Sequence, residues 1–172
     1  MTDFQMPKAP RISRFERGKT YTIDEVKQAD SFYRESYLAM LVELMKKLEE
    51  NHKAYYAGMG WQRDYEQKRG VTFGDKWDKV WVLNDNGDKA RIICHIDSNT
   101  GIIYKSNSWQ GAPYPKPRAD IFVPETYEYA DPHGGWLYAN FKADQPSTQT
   151  QKSKGTHVKE ILEKGKAIMT DR

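Results

Sequence analysis

Two glycine-containing turns, NDNGD at 84–88 and DSNTG at 97–101, cut one apolar stretch into three short runs. The runs are VWVL (80–83), ARIICHI (90–96) and IIYKSNSW (102–109). Each is rich in β-branched or aromatic side chains, and each is followed by residues that reverse the chain. That pattern predicts an antiparallel meander. Asn86-Gly87 suits the positive φ angles of a tight hairpin, and Gly101 suits the left-handed position of the second turn. The meander constrains the rest of the chain, because so small a sheet is unstable until one face is covered.

The middle run indicates which face. Strict alternation puts Ile92, Cys94 and Ile96 on one side and Arg91, Ile93 and His95 on the other. The first set is uniformly apolar and is expected to face the cover.

The cover is legible upstream. Thr22 and Glu25 have the spacing of a capping box, and Asp24 lies in the first turn, where the helix dipole favours an acid. Ile23, Val26, Tyr33, Tyr37, Met40, Leu41, Leu44 and Leu48 then recur mostly at spacings of three and four. Gly58 and Gly60 end the pattern. The spacing predicts one helix over 23–57. The Tyr33, Tyr37 and Met40 stripe reads as core packing. Residues 61–78 read as a loop, ADIFV (119–123) as a short returning strand, and WLYANF (136–141) as a last strand or aromatic flap. The fold class is therefore α+β: three to four antiparallel strands packed against a long N-terminal helix.

Composition assigns the aromatics a structural role. Hydrophobic residues make up 38% of the chain and rings 13%, with mean hydropathy −0.89. Aliphatic side chains are thin, so rings, each burying roughly 150–250 Å², must supply much of the core. The chain divides into a basic flexible arm (1–20), a single domain (21–141), and a polar linker with a short C-terminal helix (142–172). The helix either docks on the core or folds on a partner.

Several function classes find no support in the residues. No phosphate-binding glycine loop of the GxxxxGK[ST] kind and no nucleophile elbow occur. Cys94 and His95 are neighbours in a strand and point to opposite faces, so they cannot act as a pair. His95, Asp97 and His133 match no ligand spacing, and His95 reads better as a half-buried residue beside a ring or bonded to Asp97. The reading is a non-enzyme with no metal and no cofactor. The lone cysteine and the lack of a leader or an apolar run of ~20 residues point to a soluble protein of a reducing compartment, with no membrane partner.

The segment from Tyr104 to Arg118 remains. It carries Lys105, Lys116 and Arg118 and no Asp or Glu. Tyr104, Trp109 and Tyr114 are interleaved with these cations. Rings beside cations suit single-stranded nucleic acid: bases stack on rings and cations follow phosphates. Rings with the prolines 113, 115 and 117 also suit a protein partner, and the same residues serve equally as a stiff cover over one end of the sheet. The net charge of +3 permits nucleic acid without requiring it.

The stretch IDSNTGIIYKSNSW, a proline, and then PRADIF resembles a segment of small uncharacterised proteins of bacteriophages and other viruses. Their pattern is I-D-x-x-T-G-x-[IV]-Y-K-x-x-S-W, a proline-containing run, and Arg-x-[ND]-[IL]-[FLM]. The matching positions are Ile96, Asp97, Thr100, Gly101, Tyr104, Lys105, Ser108, Trp109, Pro113, Arg118, Asp120, Ile121 and Phe122. Where that family has Ala-Lys after its proline, this chain has Tyr114-Pro115-Lys116. The resemblance covers about 27 of the 172 residues. It implies a viral origin and a place in the host cytoplasm, and no mechanism. The function expected is a small viral protein that binds nucleic acid, single-stranded for preference, through Tyr104, Lys105, Trp109, Tyr114, Lys116 and Arg118. The alternative is an accessory module that engages a host or virion protein through the same segment.

Overall fold

The computed structural model describes residues 15–28, 35–60, 67–138 and 155–170. Strand β1 (Thr20–Thr22) leads directly into helix α1 (Ile23–Gln28), and helix α2 runs from Glu35 to Gly58. Five strands follow: β2 (Arg69–Thr72), β3 (Trp77–Leu83), β4 (Lys89–Asp97), β5 (Ile102–Lys105) and β6 (Pro117–Asp120). Two 3-10 turns come next, at Pro124–Thr126 and Gly135–Tyr138, and then helix α3 (Gly155–Thr170). The strands form one antiparallel sheet in the order β1-β2-β3-β4-β5-β6. No described helix is long and apolar enough to cross a membrane.

The class is α+β, with two corrections. The sheet has six strands rather than three or four. Also, the long helix is not N-terminal, because β1 precedes it and α1 and α2 are described separately. The extra strands are short. β2 lies inside the stretch 61–78 expected to be a loop, where the β-branched pair Val71-Thr72 beside Gly70 is too short to signal a strand on its own. Gly70 is needed for close approach: a Cβ there would meet Thr20 Cγ2 at 2.8 Å and Leu83 Cδ1 at 2.9 Å. The third strand ends at Lys105 rather than Trp109, and the fourth expected strand is shifted to 117–120. Pro117 lies on an edge strand, where a missing N–H is tolerated. The segment Gly135–Tyr138 is helical rather than extended, and it buries Trp136 and Leu137.

The capping box forms as spaced. The Thr22 N–H donates to Glu25 Oε1 (3.2 Å) and the Glu25 N–H to Thr22 Oγ1 (3.3 Å). Helix α2 then lays Tyr37, Leu41, Leu44, Met45 and Leu48 on Val71, Val80, Val82, Cys94, Ile96, Ile103 and Ala119. Leu41, Leu44 and Met45 are fully buried; each such side chain contributes roughly 1.5–3 kcal/mol. The Tyr37 hydroxyl reaches down to Asp78 Oδ2 at 2.7 Å and fixes the helix over β3.

The face assignment of β4 is corrected by a β-bulge. Val80 pairs with Cys94, but the next residue, Trp81, pairs with Ile92, so Ile93 is extra. Beyond the bulge the alternation inverts. Ile93 joins the core with Cys94 and Ile96, while Ile92 lies opposite Trp81 on the outer face, only half-buried. Arg91 opposes Val82 and so lies on the helix side.

The expected basic arm falls mostly on residues 1–14, outside the described part. The chain is packed from Phe15, whose ring stacks on Phe73 at 4.2 Å. The linker at 142–154 also lies outside the described residues. Helix α3 docks on α2 by a close backbone crossing. A Cβ added at Gly165 would overlap the Ala54 carbonyl, and one at Gly58 would overlap that of Ile161.

Two expectations follow. Ile93→Asp destabilises by about 4 kcal/mol or more, because it leaves an unpaired charge in the core. Ile92→Asp costs clearly less, and thermal melts of the two variants measure the difference. Gly165→Val detaches α3 while the sheet stays folded. Protease then cuts at Lys164 or Lys166 faster than in the wild-type chain, with near-UV circular dichroism of the core retained.

Candidate functional site

The face of the sheet away from α2 is built from alternate residues of four strands. Register places Thr72 with Lys79, Lys79 with His95, Trp77 with Asp97, Trp81 with Ile92, and His95 with Tyr104. Directly paired residues share a face. The result is a surface of rings and cations. The Trp77 ring lies 5.4 Å from that of Tyr104 and 5.8 Å from His95, both edge-on. Lys76 Nζ lies 5.1 Å from the Trp77 ring and Lys89 Nζ 4.7 Å from the Trp81 ring.

After β5 the chain folds back across this face. The loop 106–116 is held by polar contacts to two buried or half-buried strand residues. His95 is fully buried; its Nδ1 lies 2.7 Å from Ser106 Oγ and its Nε2 3.1 Å from the Gly111 carbonyl. A carbonyl only accepts, so Nε2 carries the proton and Nδ1 accepts from the Ser106 hydroxyl. Lys79 Nζ donates to the Trp109 carbonyl at 2.6 Å. The Trp109 ring meets Trp81 edge-on at 5.0 Å and stays 46% exposed, while Trp81 beneath it is 2% exposed. Trp81 also donates its indole N–H to Thr72 Oγ1 at 2.9 Å.

The expected residues divide into two groups. Tyr104 and Trp109 belong to the outer face. Lys105 opposes Cys94 and so points to the other side of the sheet. There its Nζ lies 4.4 Å from the Tyr114 ring and 4.8 Å from that of Tyr138. Tyr114 and Tyr138 are both exposed. Lys116 is exposed on the loop, and Arg118 is half-buried where the β5–β6 register slips. Sequence reading missed Trp77, Lys79, Trp81, Lys89 and Tyr138. The first three stand at i, i+2 and i+4, a period-two signal concealed by starting the strand at Val80.

Electrostatics favour a neutral anchor under a cationic surface. Burial, then the Lys79 ammonium, pushes the His95 imidazole from the ordinary 6.5 to about 4, against a partial rise from the Gly111 carbonyl. Lys79 is itself held down by burial and by Lys89. Burial pushes the Cys94 thiol up, which leaves it an inert core side chain. His133 packs edge-on to Tyr55 at 5.2 Å rather than beside His95. Among the described residues no group of three or more His, Cys, Asp or Glu is placed to hold a metal.

A family model described as a family of unknown function, DUF7717, matches residues 20–139, from β1 through the second 3-10 turn. The chain belongs to that family. No curated protein and no solved structure gives a match.

The His95 anchor makes the fold acid-sensitive. Its folded-state value lies below the unfolded one, so its contribution is complete above about pH 6.5 and is lost as pH falls towards 4. His52, also lowered to about 4, adds to the same window. The melting temperature should drop by several degrees across that range. His95→Gln should flatten part of the drop, and an unchanged slope would show that His95 does not pin the loop.

Proposed function

We propose that the chain is a small, non-catalytic protein of viral or bacteriophage origin, working in the host cytoplasm, that binds single-stranded nucleic acid across the loop 106–116. One observation carries the reading. Trp109 is held out from the sheet on a buried Trp81 support, nearly half-exposed, beside lysines and on a segment with no carboxylate from Tyr104 to Arg118. A ring presented this way on a rigid support is a stacking platform, worth roughly 1–3 kcal/mol per base. The nearby acid on the outer face, Asp97, is engaged with the Asn99 N–H at 2.9 Å.

Roles then divide. Trp109 stacks bases from its Trp81 support, and Tyr114 stacks them beside Lys105. Lys116, Arg118 and Lys89 meet phosphates, and Lys105 contributes from its position between two tyrosine rings. The viral origin rests on the resemblance of 96–122 to phage and viral segments. A protein partner is the rival reading, favoured by the exposed Phe122, Val123 and Tyr138 near the β6 edge.

Trp109→Ala should cost roughly 1–3 kcal/mol in binding to a single-stranded oligonucleotide and leave the salt slope almost unchanged. Lys116→Ala should reduce the slope by about 0.7, the value for one phosphate contact on a single strand. Fluorescence anisotropy over a salt series measures both, with melting recorded on each variant. If the wild-type chain shows no salt-dependent binding to DNA or RNA strands, the nucleic-acid reading fails and the exposed rings are assigned to a protein contact.

A further inference from the structure

On the helix side of the sheet, away from the loop, the end of α2 meets the start of β2, the first half of β4 and the turn at 131–134. They enclose a cleft of about 410 Å³ lined by His52, Tyr56, Gln67, Arg91, Pro132 and His133. A volume of this order suits a small organic ligand. Among the described residues no carboxylate lines it. Among the same residues, Asp131 accepts the N–H groups of His133 (3.3 Å) and Trp136 (3.0 Å), and Glu49 accepts that of Arg69 (3.3 Å).

Positive charge gathers around the cleft. Arg91 is exposed and spends Nη2 on the Pro132 carbonyl at 3.2 Å, leaving the rest of its guanidinium open. Arg69 is 2% exposed; it gives Nη1 to the Gln67 carbonyl at 2.8 Å, and its Nε meets no acceptor among the described residues. His52 registers the field: burial first, then Arg69, Arg91 and His133, hold it at about 4. Glu49 is raised by its own burial, with Arg69, Lys53 and Lys68 acting against that rise. The walls are also aromatic. The Tyr56 ring lies 5.0 Å from that of His52 and 6.4 Å from that of His133.

We infer that this cleft binds a phosphate monoester, with the Arg91 guanidinium as the forked donor, the His52 and His133 rings beside the oxyanion, and Tyr56 against the esterified group. Guanidinium geometry matches a phosphate edge, and a weakly hydrated arginine suits a half-enclosed site. The groups come from α2, β4 and the 131–134 turn, so they approach from several directions. That arrangement suits a tetrahedral dianion better than a planar carboxylate. The inference does not rest on the nucleic-acid reading, since no lining residue belongs to the outer face.

The test is a titration of the intact chain followed through the His52 and His133 ring signals by NMR, at constant ionic strength. The probes are inorganic phosphate, a nucleoside 5′-monophosphate and the parent nucleoside. Both phosphate probes should move the two histidines, and the nucleoside should not. Arg91→Ala removes an exposed side chain and should keep the fold; it should weaken binding by roughly tenfold or more, as expected for a lost charge-assisted hydrogen bond. His133→Ala should weaken it as well, and Trp109→Ala should leave it unchanged. Ring signals that stay fixed in millimolar phosphate, or an Arg91→Ala titration that overlays the wild-type one, would overturn the proposal.

Discussion

A six-stranded sheet has two faces, and this chain has aliphatic side chains enough for one. Everything on the inner side follows from that shortage. Val71, Val80, Val82, Ile96 and Ile103 meet the leucines of α2 in a core of ordinary aliphatic packing. The bulge at Ile93 exchanges Ile92 for Ile93 on this face and lets Arg91 reach the rim of the cleft. The outer face is left to rings: Trp77, Trp81, Tyr104 and the imidazole of His95. Rings bury large areas but carry N–H and O–H groups that need partners. The outer face therefore cannot be covered by a second plain helix, and a loop with backbone carbonyls covers it instead.

That choice of cover creates the candidate site. The Gly111 and Trp109 carbonyls take their protons from His95 and Lys79, so the loop is fixed by hydrogen bonds more than by apolar area. A loop fixed in this way need not bury its own side chains. Trp109 packs edge-on over Trp81 and still presents nearly half its surface to solvent. The structural-cover reading and the binding reading are thus compatible. The same tryptophan closes the sheet with one edge and leaves its other surface exposed.

Local chemistry was legible in the sequence where it depended on few residues. The Thr22/Glu25 capping box, the end of α2 at Gly58, and the turn at Gly101 with φ of 79° all stand where their residue types put them. The Asn86-Gly87 turn was half legible. Gly87 takes φ of 88°, but Asn86 does not adopt positive φ, and the connection is a longer loop closed by Asn84 and Asp88. What could not be read depended on pairing. A bulge is a property of two strands, and ARIICHI alone alternates without interruption. β1 and β2 are three and four residues long and become strands only because each lies beside a neighbour. For the candidate site, the rings and cations of 104–118 were visible. Their division was not read: sequence reading puts Tyr104 and Lys105 on one surface, and the strand pairing puts them on opposite faces. The floor of Trp77, Lys79 and Trp81 was not visible either, because it comes from a different strand.

The C-terminal helix carries the same lesson to the tertiary level. Its sequence, with Gly165 in the middle, is a poor helix by propensity, and sixteen residues are marginal in isolation. In the fold that glycine is what allows docking. Gly165 lies on the Ala54 carbonyl and Gly58 on that of Ile161, so the two helices touch backbone to backbone around Ile161 and Leu162. The glycine that weakens the isolated helix is compensated only when α2 is present to receive it. Helix α3 lies beyond the 20–139 region shared with the family, whereas its acceptor, Gly58, lies within it. The docking surface is therefore part of the family domain, and the helix that fills it here comes from outside.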